Sequence, residues 1–247
     1  GKWKTKVTFL GDDGAEGKEQ GLIEYLENSA IEIEGGLNSL GQSIEPQNLN
    51  VNIEKLYSDA FKETVTSGGG SYPEIKRKFL NSFNQGALVI NYFGHGNTFA
   101  LASENFLDIS DIRNIRNIKN LPLFITVTCD FSKFDDPTIV TAGEELITSP
   151  FGGAGSMITT SREITISNGN ALNLEISKLL YQSNNTRSVA EVLKDAKNNS
   201  RVYGQRFVYF FGDPAMKLSL PKEGIVTTSI HKVSIDPITE KEKLEEV

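Results

Sequence analysis

Chemistry in this chain narrows to Cys129 and His95, because the sequence holds one cysteine and only two histidines. Cys129 closes an apolar, β-branched run at residues 121–129, and His95 follows a similar run at residues 86–93, inside Gly94-His95-Gly96. Such runs read as buried strands. Each delivers its reactive side chain at the carboxyl end, where the ligand crevice of an open α/β sheet lies. A thiolate is a strong nucleophile but scarce near neutral pH, and a neighbouring imidazole can take its proton and return one to a leaving amine. The glycines beside His95 leave the backbone open, which makes the N–H groups of Gly96 and Cys129 candidate oxyanion donors. A lone cysteine in a strand is most often a small buried hydrophobe; the position that Cys129 shares with His95, at strand ends, turns the reading to catalysis. His231 sits in a polar tail and receives no role.

Three other groups fall at the same sheet edge. Asp12 and Asp13 follow a strand, where a carboxylate can orient an imidazole, although Asp there is as often a helix cap or loop residue. Thr159, Thr160, Ser161 and Arg162 end the strand after the Cys129 strand and are expected to form one wall of the substrate cleft. Arg162 would favour acidic groups there, unless local carbonyls or a neighbouring acid such as Glu163 satisfy it. The loop at 131–137 carries Phe131 and Phe134 beside the nucleophile and is the feature best placed to keep water from an acyl-enzyme.

The elements that must position these residues alternate along the chain. A strand at 4–10 leads through a polar loop to a helix with apolar positions Leu22, Ile23, Leu26, Ala30 and Ile33. A more exposed strand follows at 51–57, then a helix opened by Pro73, with Ile75, Phe79, Leu80 and Phe83 inward. The strand at 86–92 is almost wholly apolar and should be central. Isoleucines recurring every three residues from Ile109 support only a short helix before the Cys129 strand. A helix through Ala142, Leu146 and Ile147 precedes a strand at 152–160. Two helices follow, the second opened by a Ser188–Glu191 capping box, then strands at 207–211 and 216–220. This order implies right-handed β-α units and a three-layer α/β/α sandwich with a mostly parallel sheet. Residues 1–221 form the expected domain, and 222–247 a linker or the start of a following β domain.

Composition removes several function classes. A formal charge of -7 without a basic cluster argues against nucleic-acid partners. No apolar run is long enough to span a bilayer, and the opening Gly1-Lys2-Trp3 reads as an excised piece of a larger protein with no signal peptide. No phosphate-binding glycine motif is present, and one cysteine with two histidines excludes a structural zinc site. No cofactor is expected; Asp135, Asp136, Glu144 and Glu145 leave room for a structural calcium ion but lack EF-hand spacing.

Asn91-Tyr-Phe-Gly-His-Gly96, the run 121–129 and Phe211-Gly-Asp-Pro214 together resemble the gingipain-like cysteine peptidases, whose fold is related to that of caspases. The segment 128–137, Ala142-Gly-Glu144, Gly152-Gly153 and 159–162 further resemble the PorU-like sortases of the bacterial type IX secretion system, and the likeness runs from about residue 3 to 228. It implies Cys129 as nucleophile, His95 as catalytic histidine and Asp13, before Gly14, as the acid that orients it, where gingipains carry Glu. It also implies a protein of the outer membrane or cell surface of Bacteroidota. That protein would cleave C-terminal secretion signals from cargo, work among other type IX components and transfer the cargo to anionic lipopolysaccharide. A plain endopeptidase and a catalytically silent signal-binding scaffold are the alternatives.

Overall fold

The structure is a computed structural model that describes residues 2–12, 21–47, 50–66, 69–182, 185–221, 231–235 and 242–246. Its main sheet has six strands: β1 (Lys6–Gly11), β2 (Asn52–Tyr57), β3 (Val89–Phe93), β4 (Leu123–Thr126), β5 (Ser156–Thr160) and β6 (Val208–Phe211), in the order β2-β1-β3-β4-β5-β6. The first five are parallel, and β6 pairs antiparallel with β5. The helices are α1 (Leu22–Glu34), α2 (Pro73–Asn84), α3 (Ile109–Asn114), α4 (Ala142–Thr148), α5 (Ile166–Leu180) and α6 (Val189–Ser200).

Side chains of a strand alternate between faces, so a strand covered on both sides must be apolar throughout. In β3, Val89 and Phe93 pack into the layer of α1, α5 and α6, whereas Ile90 and Tyr92 pack into that of α2, α3 and α4. β1 divides in the same way, with Val7 and Phe9 on one side and Leu10 on the other. The second layer is aromatic: Phe79 meets Phe83 at 5.4 Å, Phe83 meets Phe124 at 5.8 Å, and Phe124 meets Phe131 at 6.1 Å. Truncating a fully buried ring such as Phe79 to Ala would cost about 3–5 kcal/mol.

Local signals explain the helix starts. Pro73 opens α2, where its missing N–H would have no partner in any case. Ser188 and Glu191 close the capping box of α6, and Asp108 with Asp111 and Thr141 with Glu144 do the same for α3 and α4.

One expected strand is absent. Residues 216–220 are irregular and pair with no strand: the Met216 carbonyl accepts from Val189 N–H, and Leu220 N–H donates back to the Leu218 carbonyl. Their alternating apolar positions, Met216, Leu218 and Leu220, instead cover the α1–α5–α6 layer, and covering a core needs the same period as a half-buried strand. Further on, 231–235 and 242–246 pair as an antiparallel hairpin.

Candidate active site

β1 has β2 on one side and β3 on the other, so the chain reverses direction across the sheet between β1 and β3, the point where open α/β sheets place their ligand crevice. Asp12 follows β1, His95 follows β3, and Cys129 follows the next strand, β4. The β3–β4 ladder pairs Tyr92 with Thr126, so His95 and Cys129 each lie three residues past a matched pair. Equal spacing past parallel neighbouring strands brings both residues to the carboxyl end of the sheet.

Cys129 is partly exposed in the bend after β4, with its Sγ 4.0 Å from the Ile164 carbonyl. Asp130 next to it takes a left-handed conformation, φ 49°, which Asp tolerates better than most residues. That turn sends Phe131 back into the core, where it is fully buried. Phe134 packs edge-on against Tyr209 and Phe211 at the β6 edge. The two aromatics expected to shield the nucleophile are thus engaged elsewhere, because burying a ring in the core or on the sheet edge gains more than leaving it over an open cleft. Cys129 instead opens onto a pocket of about 310 Å³ lined with Glu163, Ile164, Thr165, Tyr203 and Gly204.

The loop carrying His95 is fastened at several atoms. Its N–H donates to Asp12 Oδ2 at 3.1 Å, and its carbonyl accepts from Ala102 N–H at 2.9 Å and from the Tyr92 hydroxyl. The Thr128 hydroxyl donates to the Gly94 carbonyl at 2.7 Å, and the Thr160 hydroxyl donates to the Thr128 carbonyl. These bonds lace the ends of β1, β3, β4 and β5 together. Gly96 forms a bridge with Leu101 whose hydrogen bonds run through His95–Ala102 and Asn97–Ala100, so the ladder does not use the Gly96 N–H. Asp13 lies outside the described residues.

Along the β5 wall, Thr159 and Thr160 are fully buried, and their hydroxyls bond inward, Thr159 to Ser132 at 2.9 Å. The Ser161 N–H donates to the Phe207 carbonyl at 2.9 Å. Arg162 forms two bonds to Asp135, at 2.8 and 2.6 Å, and one to its neighbour Ser161's carbonyl. The guanidinium's hydrogen bond holds the Asp135 carboxyl below its ordinary range. Arg162 borders a neighbouring depression with Asp130, Lys133, Glu163 and Phe207, and the charged group on the Cys129 pocket is Glu163. Sequence reasoning passed over Tyr92, Thr128 and Tyr203, and named Glu163 only as a partner for Arg162, a place that Asp135 takes. The first two could have been suspected from lying three residues before His95 and one before Cys129; Tyr203 carries no local signal. Among the described residues no cluster of three or more metal-ligating side chains occurs. Glu144 belongs to the α4 capping box, and Glu145 pairs with Arg113 at 2.9 Å.

Residues 1–219 match the family model of peptidase family C25. The chain belongs to this family, that of the gingipain-like cysteine peptidases. Among solved structures it is similar to the complex of Porphyromonas gingivalis RgpB pro- and mature domains, at 16% identity and a TM-score of 0.67. It is also similar to the Arg-specific cysteine proteinase gingipain R (RgpB), at 16% and 0.63, and to a chain described as a protease, at 13% and 0.61. Each match covers 95% of this chain but only 51–52% of the other, so the chain spans about half the length of the structures it matches. At these identities the likeness shows a shared fold. Comparison with curated proteins found no match. Among the described residues no helix is long and apolar enough to cross a membrane.

Proposed function

We propose that this C25 chain is the catalytic unit of a cell-surface sortase that cleaves C-terminal secretion signals from type IX cargo. The observation that carries a cysteine-peptidase reading is the sole cysteine, partly exposed on a pocket and following the strand next to the one that His95 follows. Cys129 Sγ attacks the scissile carbonyl while His95 takes the thiol proton; collapse forms a thioester, and His95 returns the proton to the departing amine. The Gly96 and Cys129 N–H groups hold the oxyanion. An amine on surface lipopolysaccharide then displaces the thiol, forming an amide. The sortase step is supported by the resemblance of the segment 128–137 and its neighbours to PorU-like sortases. Glu163 on the pocket rim supports a basic side chain on the acyl side of the cut.

The test is to give the full-length enzyme a signal-bearing substrate with and without an added amine and to weigh the products. Amide product rising with amine supports transfer; hydrolysed product alone at every amine concentration sinks it. One observation favours plain endopeptidase as the second reading: with Phe131 in the core and Phe134 on the β6 edge, neither ring lines the Cys129 pocket.

A further inference from the structure

Asp12 grips His95 by its main chain. β1 ends at Gly11, and the Asp12 N–H donates to the Phe93 carbonyl at 3.3 Å, which carries its carboxylate across to the loop leaving β3. There Oδ2 accepts the His95 N–H at 3.1 Å. On the far side of the same residue, the Tyr92 hydroxyl donates to the His95 carbonyl. The peptide groups before and after the His95 Cα are therefore both held, and with them the direction in which its imidazole leaves the backbone. The Ala102 N–H shares the His95 carbonyl at 2.9 Å, and the two side chains that hold the residue are buried, Asp12 at 1% exposure and Tyr92 at 0%. Gly94 threads between them: a Cβ there would stand 2.3 Å from Asp12 Cβ and 2.6 Å from the Tyr92 hydroxyl oxygen. Burial, then the nearby Asp12 charge, pushes the Tyr92 phenol well above its ordinary value, so it remains a donor at working pH.

We propose that Asp12 and Tyr92 are positioning residues that clamp the His95 main chain, and that Asp12 acts through an accepting oxygen rather than through its charge. The proposal rests on the reading of Cys129 and His95 as nucleophile and base. A main-chain N–H needs only a lone pair at the right place, and an Asn carbonyl oxygen supplies one with the shape of Asp. A carboxylate working by charge on the imidazolium would lose its effect in the same substitution.

Because the chain has a single cysteine, alkylation by iodoacetamide reports on Cys129 alone. Its rate at pH 6, far below an ordinary thiol's pKa, measures thiolate stabilised by His95. Wild type should react at least about tenfold faster than His95→Ala. Asp12→Asn should stay within about threefold of wild type, whereas Asp12→Ala falls most of the way to His95→Ala and Tyr92→Phe lies between, as displaced catalytic groups do. With a peptide substrate the same order should appear in kcat while KM changes little. Thermal melts followed by circular dichroism show whether each variant is folded. Should Asp12→Ala fail to fold, the other two variants decide: Asp12→Asn near wild type with Tyr92→Phe slower supports the clamp. Asp12→Asn as slow as His95→Ala, against a fast wild type, overturns the clamp alone. A folded Asp12→Ala as fast as wild type overturns it equally. Wild type no faster than His95→Ala overturns the nucleophile–base reading and the clamp with it.

Discussion

The loop leaving β3 is fastened by three buried side chains, Asp12, Tyr92 and Thr128, whereas the loop leaving β5, past the buried Ser161 N–H bond to Phe207, is fastened at the surface by the Arg162–Asp135 pair. Hydrogen bonds away from water are strengthened by the low local dielectric, and breaking one leaves an unsatisfied group. An exposed ion pair exchanges with water and is screened by salt. Substitution among the buried groups is expected to displace the His95 loop, and substitution at the surface ion pair to cost little.

Substitutions can break this contrast at each level, and the largest effect is expected at the reacting groups. Cys129→Ala or His95→Ala should lower kcat/KM by more than about 1000-fold in a peptide-cleavage assay. Cys129→Ala should leave the melting temperature nearly unchanged, because a small residue replaces a partly exposed small residue. Next comes Gly94→Ala, whose methyl group would collide with Asp12 and Tyr92. It should destabilise the fold by about 1–3 kcal/mol in denaturant titration and slow Cys129 alkylation as well. Thr128→Val removes the hydroxyl bond to Gly94 while keeping the shape; the expected cost is about 1 kcal/mol, and Thr128→Ser should recover most of it.

On the β5 side the effects should be on selectivity. Glu163→Gln is expected to lower kcat/KM about three- to tenfold for substrates with a basic residue before the cut and to leave neutral ones unchanged; equal loss on both would show that Glu163 does not read charge. The smallest effect belongs to Arg162→Ala, which should leave the melting temperature unchanged while raising KM. Because Arg162 depresses the Asp135 carboxyl, the contact is present above the unfolded value near 4 and is lost as pH falls from there through the folded value. Limited proteolysis of the 131–137 loop should therefore rise below about pH 4 in wild type, with the rise already present at neutral pH in Arg162→Ala.

The helix through Leu26, Ala30 and Ile33, the Ser188 capping box and the central strand before His95 were legible because each depends on residues a few positions apart. Residues 216–220 misled because covering a core and pairing in a sheet ask for the same alternation. Phe131 and Phe134 misled for a related reason. Apolarity says that a ring will be buried, and only the turn at Asp130 and the edge at β6 say where.

The sequence by itself determined the order of the six main-sheet strands and the six helices, the strands buried on both faces and the arrival of His95 and Cys129 at strand ends, since strand period and helix caps are local properties of the chain. Only the tertiary structure decided that β1 lies beside β3, so that Asp12 reaches the main chain of His95. It also decided that Asp135 occupies Arg162, leaving Glu163 to face the pocket, and that Tyr203 joins the pocket wall. These are contacts between residues far apart in sequence, and the alternation of apolar residues specifies which face is buried without specifying which partner covers it.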